Sequence, residues 1–312
     1  MSSTGAAYKK SRWHEFRRKL KKQKVLLLFL LPVVVLYILF SYMPMYGIIA
    51  AFQDFSIFKG YGGSPFVGLK NFRDLTHNPD FIAALLYTLR IAVLRLIITQ
   101  PIPILFALML HEISCNPFKR AVQTITYLPH FISWVIIGGI IYNLLGSRGP
   151  VNALLGLFNV PRIGFLENPR YFPGLIITSG VWKETGYSSI LYLAAMSAVD
   201  PALKEAARID GAGRFRLIWN ITLPCILPTI VIQFIWATGS LASVSFDQVF
   251  NLQNSLIRNQ TQVLDTLIYY EGLKKSNYSF GVAAGLLTGL MSFCFIMLSN
   301  WVAKKVTNIG IV

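Results

Sequence analysis

Charge is what this chain has least of, and acidic charge least of all. Lys, Arg, Asp and Glu make up 13% of its 312 residues, about half the ~25% of ordinary soluble domains, while 54% of the residues are hydrophobic. That balance excludes a water-soluble globular domain and puts the chain in a bilayer. Cysteine is nearly absent as well. Cys115, Cys225 and Cys294 stand alone without a CxxC pair, which excludes a disulfide framework, and Cys225 and Cys294 read as small packing residues inside helices. His14, His77, His111 and His130 show no metal-ligand spacing. No G-x-x-x-x-G-K-[ST] phosphate loop occurs, so the sequence shows no nucleotide site of that type.

What is present is basic charge, and its placement decides its meaning. The net charge is +16, and residues 1–24 hold nine Lys or Arg immediately before Val25–Ala51, an uncharged run of 27 residues. Nucleic acid is the wrong partner for such a pattern. Basic residues flank membrane spans on the cytoplasmic side, and anionic lipid attracts them at ~1 kcal/mol each. As a helix the run would reach ~40 Å across ~30 Å of hydrocarbon. It is read as a retained membrane helix, tilted or broken at Pro32 or Pro44.

The fold class expected is an all-α membrane protein with six transmembrane helices, at 25–51, 82–110, 121–146, 173–198, 225–246 and 279–303. With the N-terminus inside, 17 Lys or Arg fall on the cytoplasmic side and nine outside. Both termini are then cytoplasmic. The organisation expected is a basic segment 1–24, a first helix and outer loop 25–81, and a five-helix core 82–312. Half-length broken segments that would mark an inverted-repeat carrier are not evident, although Pro101 and Pro103 interrupt the second span.

The polar stretch 199–224 carries the sharpest pattern. Asp200 before Pro201 starts a helix, because the carboxylate caps free N–H groups and proline loses no donor at the first position. A short helix runs from Pro201 to about Ile209. Gly211 and Gly213 provide a bend that Cβ-bearing residues would resist, and a second short helix spans about Arg214–Asn220. The residues Glu205-Ala206-Ala207-x₃-Gly211-x₉-Ile221-x-Leu223-Pro224 resemble, in identity and spacing, the docking loop of binding-protein-dependent ABC importer permeases. The match to that family runs from about Leu85 to Lys305 and covers the five-helix core. The first span is an additional N-terminal helix common in sugar permeases.

The resemblance implies a translocation subunit rather than an enzyme. ATPase-coupling residues would be Glu205, Ala206, Ala207, Asp210, Gly211, Ile221, Leu223 and Pro224. Expected partners are a second homologous permease, two ATPase subunits that bind ATP and Mg, an extracytoplasmic solute-binding lipoprotein, a carbohydrate and membrane lipid, all at a bacterial cell membrane, with no cofactor in this chain. Tyr42–Phe55 and Gly68–Phe72 resemble the first permease subunit of carbohydrate importers, and Tyr127–Trp134 resembles the branch that imports complex oligosaccharides. One departure stands out: where many relatives carry a Gly-Gly-Pro turn, this chain has Asn254-Ser-Leu-Ile257.

Sugar sites combine aromatic faces with amides, hydroxyls and carboxylates. Lys183 and Glu184 would each cost ~3 kcal/mol facing lipid, so they should face a cavity, a partner or each other. Trp182 and Tyr187 fall on aromatic positions of the maltose-type substrate stretch, whereas Lys183 and Glu184 do not match it. Gln233, Trp236, Ser240 and Ser243, three or four residues apart, would share one helix face. Gly281, Gly285 and Gly289 read as a packing stripe, and Arg90 and Arg95 as contacts for an acidic sugar or for ion pairs. Two rival classes remain open: a membrane enzyme using Glu184, His130 or Asp247, and an ion-driven carrier using Lys183 and Glu184.

Overall fold

The computed structural model describes residues 23–311, so nearly all of the basic segment lies outside the described residues. Among them there is no strand beyond a single bridge between Gln53 and Phe66. Helix α1, Lys24–Tyr37, passes Pro32 without a break and continues through a π-turn, Ile38–Tyr42, into a 3-10 stretch, Met43–Phe52. Proline has no N–H and crowds the carbonyl four residues back. The widened turn ahead of Pro44 absorbs that defect, and the span bends in hydrogen-bond register without ending. No residue of α1 is buried; the run joins the rest of the chain through Ala51, packed with Leu75, Phe81, Ala283 and Ala284.

Helices α2, Pro79–Thr99, and α3, Pro101–Glu112, form one rod of 34 residues, so Pro101 interrupts the bonding and not the direction. The third expected span is different. Helix α4, Asn116–Tyr127, is followed by a 3-10 corner, Leu128–Phe131, and then by α5, Trp134–Leu145. The two limbs, Asn116–Phe131 and Trp134–Leu157, meet at 101°. The expectation of a single helix over 121–146 therefore fails at Pro129, where the missing donor starts the corner and the Ser133 hydroxyl caps the next helix by accepting from Ile136 N–H.

Helix α6, Phe172–Ser197, is the hub. Its Phe172 and Ile176 pack with Ile91 and Ala92 of α2, while Tyr192, Leu193 and Met196 pack with Ala107, Leu108 and Leu110 of α3 and with Ile226. Gly186 lies so close to α4 that a Cβ there would collide with the Thr126 carbonyl. After the short helices α7, Pro201–Ile209, and α8, Arg214–Leu217, the chain runs through a second π-turn, Ile218–Thr222, into α9, Leu223–Thr238. The second short helix expected over 214–220 is thus the start of a continuous 25-residue rod, Arg214–Thr238. The rod stops at Thr238 and not near 246. Gly239 abuts Ile296 so closely that a side chain would not fit, and the Thr238 hydroxyl pairs with the Ser299 hydroxyl at 2.7 Å.

Helix α10, Phe246–Leu252, leans on α6 through Gln248, whose buried amide donates to the Ile176 carbonyl at 2.6 Å and the Ser179 hydroxyl at 3.0 Å. Helix α11, Tyr278–Thr307, closes the chain. Of its glycine stripe only Gly281 packs closely, against Gly272; Gly285 and Gly289 face open space. Cys225 and Cys294 lie in helices as expected but are exposed on the apolar surface. Among the described residues four helices are long and apolar enough to cross a membrane, or five if the bent pair counts as one. Helix α6, though 26 residues long, falls outside that set, so the six-span count is not reproduced as such.

Candidate functional site

Two features stand out, an elbow at 200–217 and a cavity among α2, α6 and α9. The elbow starts where the Asp200 carboxylate accepts from Ala202 N–H at 2.9 Å. It turns where Ala212 N–H donates to the Ala207 carbonyl at 2.8 Å and Gly211 N–H to the Arg208 carbonyl at 3.0 Å. This nested pair ends a helix when the residue after the cap is left-handed, and Gly211 has φ of +79°. Gly213 sits at φ −73° in open space. The corner therefore needs one glycine, and the role expected for Gly213 falls away.

Glu205, Ala206 and Asp210 are exposed on this elbow, Ala207 is half-buried, and the apolar side chains of Leu203, Ile209, Phe215 and Trp219 are also exposed. Ile221, in the π-turn, and Leu223, which begins α9, are half-buried, and Pro224 stands in the first turn of α9. Lys204 fixes the elbow to the body by donating to His111 Nε2, at the end of α3, at 2.8 Å. No sequence pattern pointed to that pair, which is 93 residues apart.

The cavity has a volume of about 820 Å³, within the ~300–1,000 Å³ usual for small-molecule sites. Glu184, Tyr187, Gln233, Trp236, Ser240 and Ser243 line it, together with Arg95. Gln233 and Trp236 arrive on α9, but Ser240 and Ser243 arrive from the turn beyond it, so these four converge without sharing a helix face. That turn is held by the Asp265 carboxylate, which accepts from Ser243 Oγ and Val244 N–H, each at 2.9 Å. Burial pushes the Asp265 carboxyl above the usual range, and the two donors partly offset this. The departing segment 254–257 folds around Asn254, whose amide donates to the Leu166 carbonyl and whose oxygen accepts from Leu256 N–H at 3.0 Å.

Trp182 and Lys183 are not among the lining residues. Trp182 is exposed on another face of α6. Lys183 is 6% exposed and faces neither the cavity nor Glu184. Its ammonium donates to the carbonyls of Pro129, His130 and Ile132 at 3.2, 2.5 and 2.7 Å, and it lies 5.6 Å from the Trp134 ring centroid. It is the clasp of the 128–132 corner, supplying donors to carbonyls that the broken helix leaves open. Lys183→Met is expected to lower stability by about 2–4 kcal/mol, since orphaned buried acceptors cost roughly 1–3 kcal/mol each; thermal unfolding in detergent measures this.

Glu184, which lines the cavity, reaches the same corner through a side chain. Its Oε2 meets His130 Nδ1 at 2.7 Å, and the His130 ring lies flat on Tyr187 with centroids 3.7 Å apart and planes 1° from parallel. Asp247, on α10, is not among the residues lining the cavity, and no group of three metal-ligating side chains occurs among the described residues.

The model of binding-protein-dependent transport system inner membrane components matches residues 100–308. The chain is 42% identical over 305 residues to the polygalacturonan/rhamnogalacturonan transport system permease protein YteP of Bacillus subtilis (strain 168), covering 97% of this chain and 95% of that protein. It is 39% identical to protein LplB of the same organism, covering 94% and 92%. It superimposes on a subunit of a bacterial alginate ABC transporter, solved with an alginate pentasaccharide-bound periplasmic protein, with a TM-score of 0.86 and 35% identity over 94% of this chain and 99% of that one. An all-helical chain with this elbow, this cavity and these relatives belongs to the family of binding-protein-dependent transport system inner membrane components, which are transporter permease subunits.

Proposed function

We propose that the chain is the permease subunit of an ATP-driven ABC importer that moves an oligosaccharide across the bacterial cell membrane by alternating access. One observation carries this reading: the rod Arg214–Thr238 starts in the elbow and ends at the cavity. A push on the elbow therefore reaches the lining directly, over ~37 Å of helix.

The elbow offers an ATPase the charges of Glu205 and Asp210, the flat alanine surface beside them and an exposed apolar face. ATP and Mg are bound by two such subunits. A second permease of the same family completes the passage, and an extracytoplasmic lipoprotein delivers solute, a role supported by the periplasmic protein in the alginate complex. Both termini face the cytoplasm. In the cavity Trp236 and Tyr187 present aromatic faces to sugar rings, and Gln233, Ser240 and Ser243 replace water's hydrogen bonds. Arg95 brings a positive charge to the lining. It supports a uronic-acid-bearing substrate, as do relatives named for polygalacturonan and alginate.

The test is uptake of labelled oligogalacturonate by the full complex in proteoliposomes. Uptake should require ATP and the ATPase subunits; uptake that persists without them and collapses with an ion gradient would establish the carrier instead. Trp236→Ala is expected to reduce uptake three- to tenfold through lost ring contact, with ATPase activity retained.

A further inference from the structure

The cavity lining carries one cation, Arg95, and one anion, Glu184. For a ligand bearing carboxylates the two would work against each other, and a bare Glu184 would cancel what Arg95 contributes. In the structure Glu184 pairs with another residue and not with Arg95. Behind the lining, His130 reaches Glu184 Oε2 with Nδ1 at 2.7 Å. A carboxylate only accepts, so Nδ1 carries the hydrogen and the ring donates. The same ring is stacked on the back of Tyr187, another lining residue. The backbone that carries His130 is fixed, because the carbonyls of Pro129, His130 and Ile132 all accept from Lys183. Three residues of α6, at 183, 184 and 187, thus converge on one corner.

We infer that His130 is a positioning residue that sets the charge selectivity of the cavity: by engaging Glu184 from the corner, it holds that carboxylate off the Arg95 guanidinium and leaves Arg95 to receive the carboxylate of a uronate unit. This rests on the oligosaccharide reading above and assigns its selectivity to named side chains. A purely structural role for the His130–Glu184 pair would affect acidic and neutral ligands alike. A masking role affects only acidic ones.

The probes are labelled tetragalacturonate and its carboxyl-reduced neutral counterpart. Binding to the complete permease–ATPase complex in nanodiscs is measured with the binding protein omitted, so that the cavity alone reports. His130→Phe keeps the stack on Tyr187 and removes the donor. It is expected to weaken tetragalacturonate binding about tenfold and leave the neutral ligand unchanged. Adding Glu184→Gln to His130→Phe should restore binding to within about threefold of the parent. Glu184→Gln alone should raise tetragalacturonate binding by less than about threefold, because His130 already holds that carboxylate off Arg95. Equal weakening of both ligands by His130→Phe, or no recovery in the double variant, overturns the proposal. So does a tenfold gain in tetragalacturonate binding from Glu184→Gln alone, a result that stands even if His130→Phe does not fold. A parent complex that binds neither ligand overturns the oligosaccharide reading and this inference together, whereas one that binds both equally overturns only the inference.

Discussion

Gly186→Ala is expected to stop the chain from accumulating in folded form. A methyl group at this position would enter the space of the Thr126 carbonyl, with backbone atoms of α4 as the obstacle and no flexible side chain to yield. Overpacking a soft site costs about 1–3 kcal/mol. Here the cost lies at or above the top of that range, because α6 must move away from α4. That movement also separates Lys183 from the three carbonyls it holds and Glu184 from His130. Recovery of monodisperse protein and the midpoint of thermal unfolding in detergent report the effect. A variant with the parent's yield and midpoint would show that α6 and α4 do not pack this tightly.

Gly211→Val should leave a chain that inserts and folds its spans but no longer transports. At φ +79° a β-branched residue is strained by about 1–3 kcal/mol, and the elbow can shed that strain by unwinding the nested bonds from Gly211 and Ala212. The Lys204–His111 contact ties the elbow to the end of α3, and Leu217 is its buried anchor. The expected result is loss of uptake by more than tenfold, with ATPase activity no longer responsive to the loaded binding protein. Gly213→Ala, at an ordinary φ in open space, should behave as the parent. Normal uptake by the Gly211→Val complex would count against the elbow as the coupling element.

Much of this architecture is legible in the residues. Asp200-Pro201 and Gly211 mark the two ends of α7 because each acts through its own backbone chemistry, and the structure places that helix at Pro201–Ile209 as read. Long apolar runs mark the spans for the same local reason. Three features escape such a reading. The 101° corner depends on Pro129 having Lys183, 54 residues away, to satisfy the carbonyls it frees. The end of α9 at Thr238 is imposed by α11 through Ile296 and Ser299. Lys183 and Glu184 are neighbours with opposite assignments, and nothing in Trp182–Tyr187 says which faces the cavity. Each of these is settled by a partner distant in sequence.

The widened turn at Ile218–Thr222 also decides where this rod tolerates a change of length. A π-turn holds one residue more than an α-helix needs over the same rise, so its surplus residue is taken up as a local bulge. Deleting one residue there would close the bulge into ordinary helix and leave the elbow near its present azimuth. Deleting one residue within Leu223–Thr238 would instead turn the elbow by ~100° about the axis of α9, and Glu205 and Asp210 would face a different neighbour. The direction in which force enters this subunit is thus insensitive to the bulge and sensitive to every regular turn after it.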